Sequence, residues 1–313
     1  MRVNLRQKAD IHGKSAFFTP NAKRTAALKK SLPLYILAAP AFIWFITFVY
    51  YPAVLGFVVS FQKYRIIGKS EWIGLQNYLR VFTTPGLIQV VANTLTIGLF
   101  SLILNLLFPV LTALLLNEAL RALWKKIIQT SIFIAHLFSW VVVAGIWIYI
   151  LAPDKGLLNI ALSKMHLEPI HFMSSSEYGK PLVIFLILWK DVGYLCILYL
   201  ATISNINPEL YEAALMDGAG RFQQAIRITL PSLVPTIKIL MILEITGLFQ
   251  LFDPIWVLRN SGNSLAIDTV MIYLKKYGID QFQIGYASAI SSLIFITVLA
   301  FTLITKQGVR YRV

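Results

Sequence analysis

LIQVVANTLTIGLFSLILNLLFPVLTALLL, residues 87–116, decides the class of this protein. The stretch carries no charged side chain, and a bilayer core is crossed by roughly 20 mostly apolar residues in helical conformation. Similar stretches predict spans at Leu34–Ser60, Leu87–Leu116, Ile127–Leu151, Pro181–Ile203, Leu233–Leu258 and Tyr286–Thr305. Pro40 and Pro52 fall inside the first of them, which a membrane helix tolerates when neighbours satisfy the freed carbonyls. The expectation is an all-α integral membrane protein of about six transmembrane helices. Its 313 residues are 58% hydrophobic and 13% charged, about half the charged fraction of a soluble domain, with a mean hydropathy of +0.71.

The formal charge of +14 would suggest nucleic acid in a soluble chain, but here most cations lie between or beyond the apolar blocks. Anionic lipid and the positive-inside rule account for them better. Six spans put both termini, the Glu118–Lys126 turn and the Ser204–Ser232 loop on one side, with sixteen Lys and Arg against ten on the other. That side is expected to be cytoplasmic, in a multi-pass membrane protein. Residues 1–33 read as a basic tail holding Arg2, Arg6, Lys8, Lys14, Lys23, Arg24, Lys29 and Lys30, and the apolar block after it is too long for a cleaved signal. Residues 34–86 then form the first span and an outer loop, 87–305 the core membrane domain, and 306–313 a short tail. The lone Cys196 excludes an internal disulfide and a four-cysteine zinc site, and reads as a small buried hydrophobe.

The loop at 204–232 has local signals of its own. Asn207-Pro208-Glu209 starts a helix, because asparagine caps, proline suits the first turn and glutamate suits the positive end of the dipole. Gly218 and Gly220 end or bend it. A second short helix, Arg221–Thr229, is expected to stop at Pro231, before the fifth span. Small residues at 213, 214 and 219 would let another surface approach closely. Read from these residues alone, the element is either a docking surface or a plain connection.

The series Glu212-Ala213-Ala214, Asp217-Gly218-Ala219-Gly220 and Ile228-Thr229-Leu230-Pro231 closely resembles the EAA loop of binding-protein-dependent ABC transporter permeases. The resemblance implies a type I ABC importer permease (MetI-like) fold, with this loop as the coupling helix that inserts into a separate ATPase. Many members carry an aromatic where this chain has Ala225, a role that Phe222 could take. Asn93-Thr94 resembles the usual start of this family's membrane domain, while Trp189-Lys190-Asp191 with Gly193, Phe252-Asp253-Pro254, Asp268-Thr269 and Tyr273 resemble carbohydrate permeases, in particular those for oligosaccharides and polysaccharide fragments. The implied partners are a second homologous permease, making a heterodimer, two cytoplasmic ATPase subunits that hold ATP and magnesium, and an extracytoplasmic solute-binding protein.

Charges inside a membrane are costly and face a cavity or a partner. Trp189, Lys190, Asp191 and Tyr194 in the fourth span are candidate path residues; Lys190 could equally snorkel, with Trp189 as an interfacial anchor. Neighbours on a helix project about 100° apart, so Lys190 and Asp191 cannot pair face to face. Glu244, Gln250 and Asp253, taken as one helix, are candidates too, with Glu244 alternatively a buried hydrogen-bonding group. Asn93, Thr94 and Asn105 either face the path or glue helices together. Lys238 is expected to snorkel. His166 and His171, with Glu168 between them, are a weak metal signal. The sequence holds no Gly-Lys-Ser/Thr phosphate loop, Gly-x-Ser-x-Gly or His-Glu-x-x-His. No catalytic residue, bound metal or bound cofactor is therefore expected on this chain. The competing function is a self-contained secondary transporter or channel for a small polar solute, for which inverted repeats would be a sign.

Overall fold

The computed structural model describes residues 20–118 and 122–308, so the basic tail up to residue 19, residues 119–121 with Arg121, and the last five residues lie outside the described part. The described residues divide into two compact units between Gly56 and Phe57. In the first unit a helix already begins at Pro20 and runs into the first span, Pro33–Val59.

Proline shapes two of the spans in the same way. Helical turns widen at Ile46–Tyr50 and at Ala225–Thr229, where Tyr51 and Leu230 donate to carbonyls five residues back, Ile46 and Ala225. Pro52 and Pro231 each stand two residues beyond the widened turn. A proline ring clashes with the carbonyl four residues earlier and offers no N–H, and one extra residue in the turn makes room for it. Pro231 therefore does not break the chain as expected. The helix that starts at Arg221 runs unbroken through the widened turn into the fifth span, giving one candidate span over Arg221–Gln250.

Spans two, Leu87–Glu118, and four, Ser176–Ser204, form the centre of the second unit. Lipid gives no hydrophobic drive for helix pairing, so close packing has to do it. Glycines supply the contacts: a methyl on Gly193 would strike the Ile132 backbone, and one on Gly98 would strike the Leu248 side chain. One packed layer joins spans two, four and five through Ala113, Cys196, Tyr199 and Leu233, all fully buried. Cys196 thus sits where a small hydrophobe was expected.

Two expected elements differ. The third span is not continuous: Leu123–Leu137 and Trp140–Ile150 meet at a bend of 108°. Ser139 causes the break, adopting an extended backbone and capping the second arm with its hydroxyl, which accepts from the Val142 N–H at 3.4 Å. The fifth span, expected to reach Leu258, ends at Gln250, and residues 251–283, read as the end of that span and the polar loop after it, fold into short helices such as Asp253–Leu258, Ser264–Ile267 and Val270–Leu274. Ile255, Ile267 and Val270 from this segment are buried to 2% exposure or less. Gln250 and Asp253 are therefore on different helices.

Span two holds that segment with polar side chains. Asn93 Nδ2 donates to the carbonyls of Leu265 at 3.0 Å and Asp268 at 3.1 Å, while Thr94 Oγ1 accepts from the Val270 N–H at 2.9 Å. Asn93 is completely buried, so of its two sequence readings the structure favours glue: the amide satisfies carbonyls that a broken backbone leaves bare, and it does not line an open path. Asn93→Leu should cost about 1–2 kcal/mol and lower the apparent melting temperature of the purified chain by roughly 2–8 °C. A melting curve superimposable on wild type would refute this role.

Candidate functional site

The 204–232 element is built as its residues direct. Asn207 Oδ1 accepts from the Glu209 N–H at 3.1 Å and Pro208 opens a helix over Pro208–Met216. The helix ends at Gly218, whose φ is +78°. Ala219 N–H reaches the Ala214 carbonyl at 2.8 Å and Gly218 N–H reaches that of Leu215 at 3.0 Å, a Schellman turn with glycine in the left-handed position. Gly220 then leads into the helix beginning at Arg221, with its N–H on Gln223 Oε1 at 3.3 Å.

Three contacts brace this element from beneath. The hydroxyls of Tyr211 and Thr229 lie 2.8 Å apart, Gln224 Nε2 donates to the Ala219 carbonyl at 3.0 Å, and Arg221 Nη1 donates to the Glu118 carbonyl at 3.0 Å. The opposite surface is open and apolar: Leu215, Met216 and Phe222 are 61%, 89% and 78% exposed. Glu212, Ala213, Asp217 and Gly220 are exposed as well, and Ala214 and Ala219 are half-buried. Leu230 and Pro231 belong to the helix that continues into span five. The result is a rigid knob, fixed at its base and bare on top.

Lys190, Asp191 and Glu244, charged groups within the spans, each have a partner. Lys190, 7% exposed, donates from Nζ to the His136 carbonyl at 2.7 Å, so it does not snorkel. Asp191 Oδ1 is 3.0 Å from Nδ1 of the same histidine, and the Tyr194 ring stacks on the imidazole at 4.4 Å. Trp189 meets Trp147 edge to face at 5.5 Å. Lys190 and Asp191 indeed do not pair with each other; they share one partner. His136 escaped the sequence reading, although a histidine three residues before a serine that can cap, inside an apolar span, was a signal. Asn105 Nδ2 donates to Glu244 Oε2 at 3.2 Å, tying span two to span five. Glu244 thus has the hydrogen-bonded environment of its second reading. Gln250 and Asp253 are exposed around the break after span five.

Beyond that break, Arg259 grips Asp268 with two hydrogen bonds of 2.6 and 3.1 Å, which raise the guanidinium pKa further above its ordinary value. The Tyr273 and Tyr286 hydroxyls lie 3.1 Å apart. Among the described residues no three His, Cys, Asp or Glu side chains come together as a metal site would need.

Residues 106–311 match the family described as the binding-protein-dependent transport system inner membrane component. The chain belongs to this family. The match covers the knob and the four spans from the third to the sixth. Among its relatives, the polygalacturonan/rhamnogalacturonan transport system permease protein YteP of Bacillus subtilis is 40% identical over 82% of this chain and 81% of its own length. The arabinooligosaccharides transport system permease protein AraP of the same species is 31% identical over 89% of this chain and 88% of its own. Among solved structures, a chain of a bacterial alginate ABC transporter, crystallised in complex with an alginate pentasaccharide-bound periplasmic protein, superposes with a TM-score of 0.84 at 31% identity, over 91% of this chain and 96% of that one. A second structure, of a bacterial ABC transporter involved in import of the acidic polysaccharide alginate, matches with the same score and identity, over 98% of its chain. The permease is a multi-pass membrane subunit of an importer that works with a binding protein, and its task is transport rather than chemistry.

Proposed function

We propose that this permease forms one half of the membrane path of an ATP-driven importer for oligosaccharides, in particular fragments of uronate polysaccharides. The observation that carries the substrate class is the agreement of two independent comparisons: a relative named for polygalacturonan and rhamnogalacturonan and a solved structure of an alginate importer, both concerned with acidic sugar polymers. A second homologous permease supplies the other half, and two ATPase subunits on the cytoplasmic side hold ATP and magnesium. Both termini of this chain face the cytoplasm. The bare, braced knob at 208–222 supports docking into an ATPase, with Leu215, Met216 and Phe222 as its apolar contacts and Glu212 and Asp217 as exposed carboxylates that bond to the partner. ATP-driven approach of the two ATPases then swings the path between its inward-facing and outward-facing forms. Such coupling needs a rigid element whose position both sites bias.

Trp189, Asp191, Tyr194, Gln250 and Asp253 remain the candidate path residues: aromatic faces stack on sugar rings and polar groups meet hydroxyls. Deleting the gene in its host should abolish uptake of labelled trigalacturonate and restore it on complementation. Unchanged trigalacturonate uptake together with loss of arabino-oligosaccharide uptake would instead place the substrate among neutral sugars.

A further inference from the structure

The break in the third span leaves carbonyls at the end of Leu123–Leu137 without intrahelical donors, and the helix dipole makes that end negative. The Lys190 ammonium meets both needs, 2.7 Å from the His136 carbonyl. It also lies 5.7 Å from the ring centre of Trp140, the first residue of the second arm. One buried lysine of span four therefore touches both sides of the bend. Asp191 and Tyr194 take the imidazole of the same His136, and Gly193 lets the Ile132 backbone come up against span four. Backbone and side chain of a single residue are gripped from one helix face.

We propose that Lys190 and His136 are positioning residues for transport: their clamp sets the bend of span three and, through it, where Asp191 and Tyr194 stand beside the path. Neither touches the substrate. The geometry of the clamp stands by itself; its consequence for transport rests on the importer reading above. A charge this deep is stable only with a fixed partner, and the carbonyl bared by the bend is that partner. Losing the ammonium frees the two arms to change angle.

The test uses the whole transporter in native-lipid membranes, with Cys196→Ala and spin labels at Trp124→Cys and Tyr149→Cys, exposed positions on the two arms. Lys190 as found should give one narrow distance distribution. Lys190→Met should broaden or lengthen it, and Lys190→Arg should restore it. In the same membranes Lys190→Met should lower the maximal rate of trigalacturonate uptake about tenfold or more, with apparent KM changed less than about twofold. An unchanged distance distribution in Lys190→Met, or a raised KM at wild-type maximal rate, overturns the proposal, the latter making Lys190 a substrate contact. If Lys190→Met does not accumulate, His136→Leu removes the side-chain half of the clamp while leaving the lysine paired. It should widen the distribution less, and an unchanged one again overturns the proposal. A wild-type protein that takes up no trigalacturonate defeats the substrate reading alone, and the distance comparison still decides the clamp.

Discussion

Gly218→Val is expected to reduce substrate uptake about a hundredfold while the chain still reaches the membrane and ATP is still hydrolysed. Gly218 holds a φ of +78°, and the left-handed region costs an ordinary residue roughly 1–2 kcal/mol, with β-branched side chains the worst placed. A methyl at this position would meet open space, so the penalty is one of backbone conformation and not of collision. The chain can escape it only by leaving the Schellman turn, which gives up the bonds from Ala219 to Ala214 and from Gly218 to Leu215. The Pro208–Met216 helix then loses its fixed angle to the helix that begins at Arg221 and continues into span five. Force applied to the knob no longer reaches the span. Gly218→Ala, less strained, should fall between valine and wild type. Uptake, membrane level and ATP hydrolysis measured together check this; normal uptake by the valine variant at wild-type membrane level would show that the turn is no lever.

Gly193→Leu should act earlier, on the folded chain itself. Spans three and four approach so closely there that a single carbon beyond the glycine Cα meets the Ile132 backbone. Backbone cannot swing aside as a side chain can, so the helices must part, and overpacking of this kind costs about 1–3 kcal/mol or more. Parting them also pulls Lys190 from the His136 carbonyl and Asp191 from its imidazole. A buried charge stranded in the membrane adds its own penalty. Membrane-inserted protein should fall several-fold, as quantitative immunoblotting of membranes would show. A wild-type level of Gly193→Leu would mean that the two spans do not meet at this glycine.

What could be read in the chain depended on how local the signals were. The Asn207 cap and the Gly218 turn each rest on a few neighbouring residues, and the structure has both in the expected form. Spans two, four and six were legible for a similar reason, since a long, predominantly apolar run has few other homes. The break in span three was not, because an apolar run has the same composition straight or bent. Only Ser139, a weak capping signal in isolation, marked it. The 251–283 segment misled in the opposite sense. Its first residues read as the end of span five and the rest as a loop, while Ile267 and Val270 from that loop are buried against elements far away in sequence. Pro231 looked like a stop, but a widened turn absorbed it. Asn93 and Lys190 illustrate a general limit: a polar group in a span announces that it has a partner, and only the fold tells whether that partner is backbone or cargo.

The central claim is that the knob at 208–222 is where an ATPase takes hold. Met216, 89% exposed at its tip, is the position at which to test it. A photo-crosslinking amino acid placed there in the functional transporter, irradiated in native membranes, should yield one dominant adduct that mass spectrometry identifies as an ATPase subunit. Adducts only to lipid or to the chain itself, in membranes that still take up substrate, would contradict the account and favour a transporter that works without an ATPase.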